Sequence, residues 1–258
     1  MCLITFAYRQ HERYPFIFAG NRDERFERPT RSARFWEDFP SILAGQDLES
    51  GGSWLGVTNG GRFATVTNFR DPELNGREGP SRGELVVDYL VGDRPVKEYM
   101  RNVLSAADRY NGFNLLAGKP NHQLYYLSNK DHQLRKLEKG IYGLSNHLLN
   151  NDWFKVQKAR TGLNGLLKQE KIEAGQLFKL LYDEEKAPPG QLPETGLTPE
   201  QEEAASSIFI DSEVYGTRSS TVVLFDREGN IHFEERYHQP GEKEIDAVTR
   251  HFAIENDA

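Results

Sequence analysis

Apolar residues recur with the period of a strand at both ends of the chain and with the period of a helix in its middle. Residues 3–8 and 16–19 are apolar runs of strand length, joined by the polar turn 11–14. Residues 51–58 and 62–69 make a second strand pair around Asn59-Gly60-Gly61, a turn signal. Ser81 with Glu84 has capping-box spacing, and Leu85, Val86, Tyr89 and Leu90 follow on one helical face. A second helix is predicted over 96–110. A third hairpin is predicted over 113–117 and 123–127, turning at Lys119-Pro120-Asn121. The stretch 141–145 leads into predicted helices over 153–168 and 175–184. Three prolines mark 187–198 as an exposed loop, followed by a helical turn over 200–205. A fourth hairpin, 220–225 and 231–237, turns at Glu228-Gly229-Asn230, and 244–253 is expected to close the chain as a helix.

Hairpins at the two ends with helices between them do not form a repeating βαβ pattern. They predict an α+β fold of mainly antiparallel sheets, with N- and C-terminal strands sharing a sheet and helices outside. Two stacked sheets flanked by helices, a four-layer αββα sandwich, fit this order. No low-complexity linker divides residues 1–258, so one domain is expected.

Composition narrows the function. With 39 acidic and 32 basic residues the net charge is −7, and no basic block could track a phosphate backbone, so nucleic acid is not an expected partner. The apolar runs are too short to span a bilayer, and nothing at the N-terminus has the build of a secretory signal, so no integral membrane association and a cytoplasmic location are expected. The seven histidines are scattered and one cysteine permits no internal disulfide, so neither a metal site nor a cofactor is indicated.

That cysteine stands at position 2, behind Met1. Its small side chain suits removal of the methionine, which would leave a thiol and a free α-amine on one residue. An α-amine titrates at roughly 7.7–8, so near neutral pH part of it is a base beside a thiol that needs one. The alternative is a small apolar residue opening a strand.

Further residues join Cys2. Phe18-Ala19-Gly20 runs straight into Asn21-Arg22-Asp23-Glu24, with Arg28-Pro29 behind. Thr67-Asn68-Phe69, Gly143-Leu144-Ser145-Asn146 and Gly216-Thr217-Arg218-Ser219-Ser220 follow. Together these resemble the NRDE family, which includes the transport and Golgi organisation protein 2 homologues. The resemblance implies an N-terminal nucleophile (Ntn) hydrolase-like fold. It extends to the cysteine Ntn amidases that cleave penicillin V and conjugated bile salts, and on their pattern Cys2 is the nucleophile. Asp23 then matches the aspartate on its amine or thiol, Asn68 and Asn146 the polar positions near the oxyanion and α-amine, and Arg218 the arginine that stabilises the thiolate. Asn21, Arg22 and Trp54 are expected to bind substrate. One departure stands out: the amidases carry an arginine where this chain has Gly20, and its arginine is at position 22.

The residues themselves are compatible with these roles. A guanidinium near a thiol favours the thiolate, a carboxylate can orient an amine, and an asparagine N–H can hold an oxyanion. The leading expectation is a cysteine hydrolase cleaving a non-peptide C–N amide of a small acylated molecule, with no cofactor. The other is a small-molecule carrier, since the resemblance also implies haem trafficking or lipid and acyl-CoA metabolism. For haem, His147 is the histidine nearest the expected site, and the loops 70–82 and 187–198 are expected to line the pocket.

Overall fold

The computed structural model describes residues 2–72 and 78–255. Met1 and 73–77, the middle of the expected pocket loop, lie outside the described residues. Thirteen strands form two sheets. The first carries β1 (Cys2–Tyr8), β2 (Phe16–Arg25), β10 (Gly140–Leu144), β11 (Tyr215–Phe225), β12 (Asn230–Gln239) and β13 (Glu242–Ala253), in the order β10-β1-β2-β11-β12-β13. The second runs β3 (Thr30–Phe35), β4 (Ile42–Asp47), β5 (Leu55–Thr58), β6 (Phe63–Asn68), β7 (Phe113–Lys119), β8 (Gln123–Ser128) and β9 (Gln133–Lys136) in chain order. Every pairing is antiparallel.

Alternation along the strands assigns the layers. Ile4, Phe6, Phe16 and Phe18 meet Leu43, Leu55, Phe63 and Leu116 between the sheets. The intervening residues Ala7, Ile17 and Ala19 pack outward on α3 (Phe154–Leu166) and α4 (Ala174–Leu181) through Leu163, Leu177 and Phe178. On the far side, Ala44, Ala64 and Leu115 pack on α1 (Glu84–Val91) and α2 (Val96–Ser105). The result is the expected αββα sandwich. A short α5 (Pro199–Ala204) sits in the loop after α4, opened by a capping box from Thr198 to Gln201.

Two features depart from expectation. Residues 244–253 are not a helix but lie within β13, an edge strand paired with β12 and largely solvated along its length. Its charged side chains suit an exposed edge. Residues 28–47, for which no element is expected, supply β3 and β4.

A candidate active-site cleft at Cys2

Cys2 opens β1 and shares the parity of Ile4 and Phe6, so its side chain enters the space between the sheets at one end of the sandwich. There the sheets part into a cleft of about 250 Å3. Cys2, Arg22, Asp23, Trp54, Asn68 and Arg82 are among its lining residues. Cys2 stands opposite Arg22 in the β1–β2 register, which puts both side chains on one face. Its carbonyl accepts from Ser145 Oγ at 2.8 Å, fixing the head of β1 to the end of β10. Burial pushes the thiol up, while the Arg22 charge and the Asp23 backbone N–H on the sulfur act the other way.

Arg22 is two residues beyond Gly20, so the two share a face, one pleat apart. Position 20 itself is closed to a large side chain: a Cβ there would already lie 3.0 Å from the Phe18 ring and 3.2 Å from the Leu3 carbonyl. The Arg22 guanidinium donates to Thr30 Oγ1 at 3.2 Å and reaches Asp47 at 3.5 Å. Arg28 binds the same carboxylate more closely, Nε to Oδ2 at 2.7 Å. Although burial works against it, that hydrogen bond holds the Asp47 carboxyl below its usual range.

Asp23 turns its carboxylate to the helix side of the sheet. Thr217 Oγ1 donates to Oδ1 at 2.8 Å, and the Tyr215 hydroxyl donates to the Asp23 carbonyl at 3.0 Å. Burial raises the carboxyl, and the leading charge that opposes this is Lys155. Lys155, on α3, is itself buried, donates to the Ala205 carbonyl at 2.7 Å, and is brought down to about 8 by burial, with Asp23 the first charge acting against that fall. This buried lysine is a site residue that sequence reasoning missed. An ordinary helical lysine carries no signal of burial.

The other expected residues divide. Asn68 ends β6 with an exposed side chain on the cleft wall. Asn146 is buried and does not line the cleft; its Nδ2 donates to the Asn68 carbonyl at 2.8 Å, so it positions Asn68. Trp54 forms a wall, partly buried against the inter-sheet core.

Asn21, one residue from Arg22, faces the helices instead of the cleft. Its Nδ2 donates to the Leu181 and Ile208 carbonyls, both at 2.9 Å, and its Oδ1 accepts from Ser220 at 2.7 Å. Arg218 falls at a β-bulge between the Thr217–Asp23 and Ser219–Arg22 pairs. An unpaired bulge residue is re-aimed, and its guanidinium donates to the Arg25 and Arg28 carbonyls, both at 2.9 Å, away from the cleft lining. His147 is also away from the lining, its ring packed by Phe69 and Trp153 at centroid distances of 5.2 and 5.7 Å. Among the described residues no group of histidine, cysteine and carboxylate side chains could hold a metal, and no helix is long and apolar enough to cross a membrane.

Two stacked antiparallel sheets between helix layers, with the first residues of the chain in the inter-sheet cleft, define the Ntn-hydrolase fold. The solved structure of a mutant conjugated bile acid hydrolase from Clostridium perfringens superposes with a TM-score of 0.56, covering 99% of this chain and 97% of that one at 9% identity. Sequence places the protein more narrowly: the profile described as Transport and Golgi organisation 2 matches residues 1–240, and the chain belongs to that family. The transport and Golgi organization protein 2 homologs of Bos taurus and Homo sapiens are 34% and 32% identical to it, in each case over 92% of both chains.

Proposed function

We propose that the protein is a cysteine Ntn-type amidohydrolase that cleaves a non-peptide C–N amide of a small acylated molecule through an acyl-enzyme on Cys2. One observation carries this reading: the Cys2 sulfur enters the cleft with Arg22 opposite it and the Asp23 N–H upon it. Removal of Met1 frees the Cys2 α-amine, which takes the thiol proton as the sulfur attacks the carbonyl carbon. A thiol held protonated by burial suits such a concerted transfer. The C–S bond forms, the carbonyl electrons move to oxygen, and the Asn68 amide donates to that oxygen. The oxyanion collapses, the C–N bond breaks, and the departing nitrogen takes the proton from the ammonium. Water, deprotonated by the same amine, then cleaves the thioester.

In this reading Asp23, with Lys155 behind it, fixes the charge beneath the nucleophile. Arg22 supplies the nearby cation that sequence comparison assigned to position 218. Arg218 acts at one remove, holding the 25–28 turn that carries Arg28 to the cleft. Arg22 and Trp54 bound the substrate space.

A carrier for haem or a long acyl chain is less well supported. The cleft of about 250 Å3 is small for a ligand pocket, its walls are charged, and His147 stands outside it. The reading is tested by incubating the protein and its Cys2→Ala variant with a panel of small N-acyl amides and following amine release. Release by the parent alone is expected; equal release, or none alongside tight binding by both proteins, would favour the carrier.

A further inference from the structure

The arginines of the cleft wall are not equivalent. Arg28 is neutralised by Asp47 at 2.7 Å and Glu49 at 3.2 Å, and approaches Glu24 at 3.9 Å. Arg22 leans on Asp47, and Arg31 donates to Gln46 at 3.3 Å. Arg82 has one hydrogen bond among the described residues, from Nη1 to the Gly112 carbonyl at 3.2 Å, and no carboxylate among them forms an ion pair with it. A guanidinium has five N–H donors in a planar fork, so most of this one is left for a ligand. Burial works against its charge, and the first group favouring that charge is Cys2, which places guanidinium and sulfur in one field.

The turn that carries Arg82 is pinned. The Ser53 N–H donates to the Gly83 carbonyl at 3.3 Å, the Leu85 N–H to the Arg82 carbonyl at 3.2 Å, and the Gly83 N–H to Ser81 Oγ at 3.2 Å. Gly52 and Gly83 approach so closely that a Cβ on Gly52 would lie 2.6 Å from the Gly83 carbonyl carbon. The side chain is thus delivered to the cleft from a braced backbone, which lowers the cost of ordering it on a ligand.

We propose that Arg82 is the anion-recognition residue of the Cys2 cleft and that the group it takes is a carboxylate carried by the substrate close to the scissile carbonyl. The assignment rests on the reading that this cleft holds the substrate. A single planar fork suits one carboxylate bidentately. A phosphate dianion would call for a second unneutralised cation, and the neighbouring arginines are already engaged.

The test compares iodoacetate with iodoacetamide as alkylating agents for Cys2, reagents that differ in a carboxylate against an amide. Both need the same thiolate, so their rate ratio reports recognition of the anion alone. In the parent the ratio is expected to exceed that of N-acetylcysteine at the same pH and salt by about tenfold, the order of one charge-assisted pair. It should decline as salt rises, collapse to the free-thiol value in Arg82→Gln, and persist in part in Arg82→Lys. Melting temperatures with propionate against propionamide give a second reading that needs no reactive thiol. Propionate should raise the parent's melting temperature more than propionamide does, and Arg82→Gln should lose that difference. A parent ratio equal to that of N-acetylcysteine, no difference between the two propionyl probes, or a preference unchanged in a folded Arg82→Gln protein would overturn the assignment. Neither measurement requires turnover, so an absence of amidase activity would count against the proposed reaction while leaving the anion site standing.

Discussion

Cys2 and Arg22 are register partners on adjacent antiparallel strands, so the one thiol of the chain and the arginine of its Asn-Arg-Asp-Glu segment leave the same face of the sheet into the same cleft. The pairing makes Arg22 the cation that partly offsets the burial penalty on the thiol. Arg22→Gln is expected to push the thiol still higher and slow alkylation by iodoacetamide at pH 7–8 by about tenfold, equivalent to one pKa unit. Arg22→Lys should recover part of the rate. A stopped-flow rate series across pH checks both. An unchanged pH midpoint in Arg22→Gln would mean that the cation does not act on the sulfur.

The two asparagines should separate stability from chemistry. Asn146 is buried, with its amide on the Asn68 carbonyl and its Oδ1 accepting from Ser145 at 3.3 Å. Asn146→Ala removes both contacts and is expected to cost about 1–3 kcal/mol in urea unfolding. Asn68→Ala removes an exposed side chain and should change stability by less than about 0.5 kcal/mol. On the proposed reaction it lowers acyl transfer by about 10²–10³-fold, the cost of one oxyanion donor.

Lys155 imposes a pH dependence on stability. It titrates at about 8 in the fold against 10.5 for an ordinary lysine. Below about 8 both folded and unfolded chains hold the proton, and the fold bears the burial penalty. Between about 8 and 10.5 the unfolded chain binds more protons, so stability rises with pH, by up to about 3 kcal/mol from this group. Urea midpoints across that window should climb in the parent and lose this component in Lys155→Met. A parent profile that matches Lys155→Met would contradict the burial of a charged lysine.

The glycine contact beneath Arg82 has a structural cost if disturbed. Gly52→Ala sets a methyl group against the Gly83 backbone, which cannot yield as a side-chain tip can. An overpacking penalty of about 1–3 kcal/mol is expected, measured as a lowered urea midpoint. Gly51→Ala, with open space around its Cβ but a φ of +77°, should be strained without any such clash. In Gly52→Ala the iodoacetate preference should fall along with stability, because the turn that presents Arg82 moves.

How far the sequence could be read depended on burial. Strands packed on both faces, such as β1 and the first half of β2, stood out as apolar runs, and the Asn59-Gly60-Gly61 turn located β5 and β6. The edge strands β3, β9 and β13 did not, because few of their side chains are buried. Glu242–Ala253 reads as well as a solvated helix as a solvated strand, and only its pairing with β12 decides. At the site, strand parity was the missing knowledge. It separates Asn21, bound to the helix layer, from Arg22 in the cleft, and a bulge at Arg218 turns a residue whose neighbours fitted a familiar pattern away from it. Lys155 and Arg82 come from segments with no motif, and three-dimensional packing alone brings them to Cys2.

The most direct measurement is intact-protein mass spectrometry before and after brief iodoacetamide treatment near neutral pH, with Cys2→Ala as control. The account predicts a chain that has lost Met1 and gains a single adduct absent from the control, followed by a mass shift of one acyl group on acid quenching with an amide that is turned over. A chain that keeps Met1, or a processed chain whose Cys2 neither alkylates nor acylates, would contradict the N-terminal nucleophile at the centre of the account.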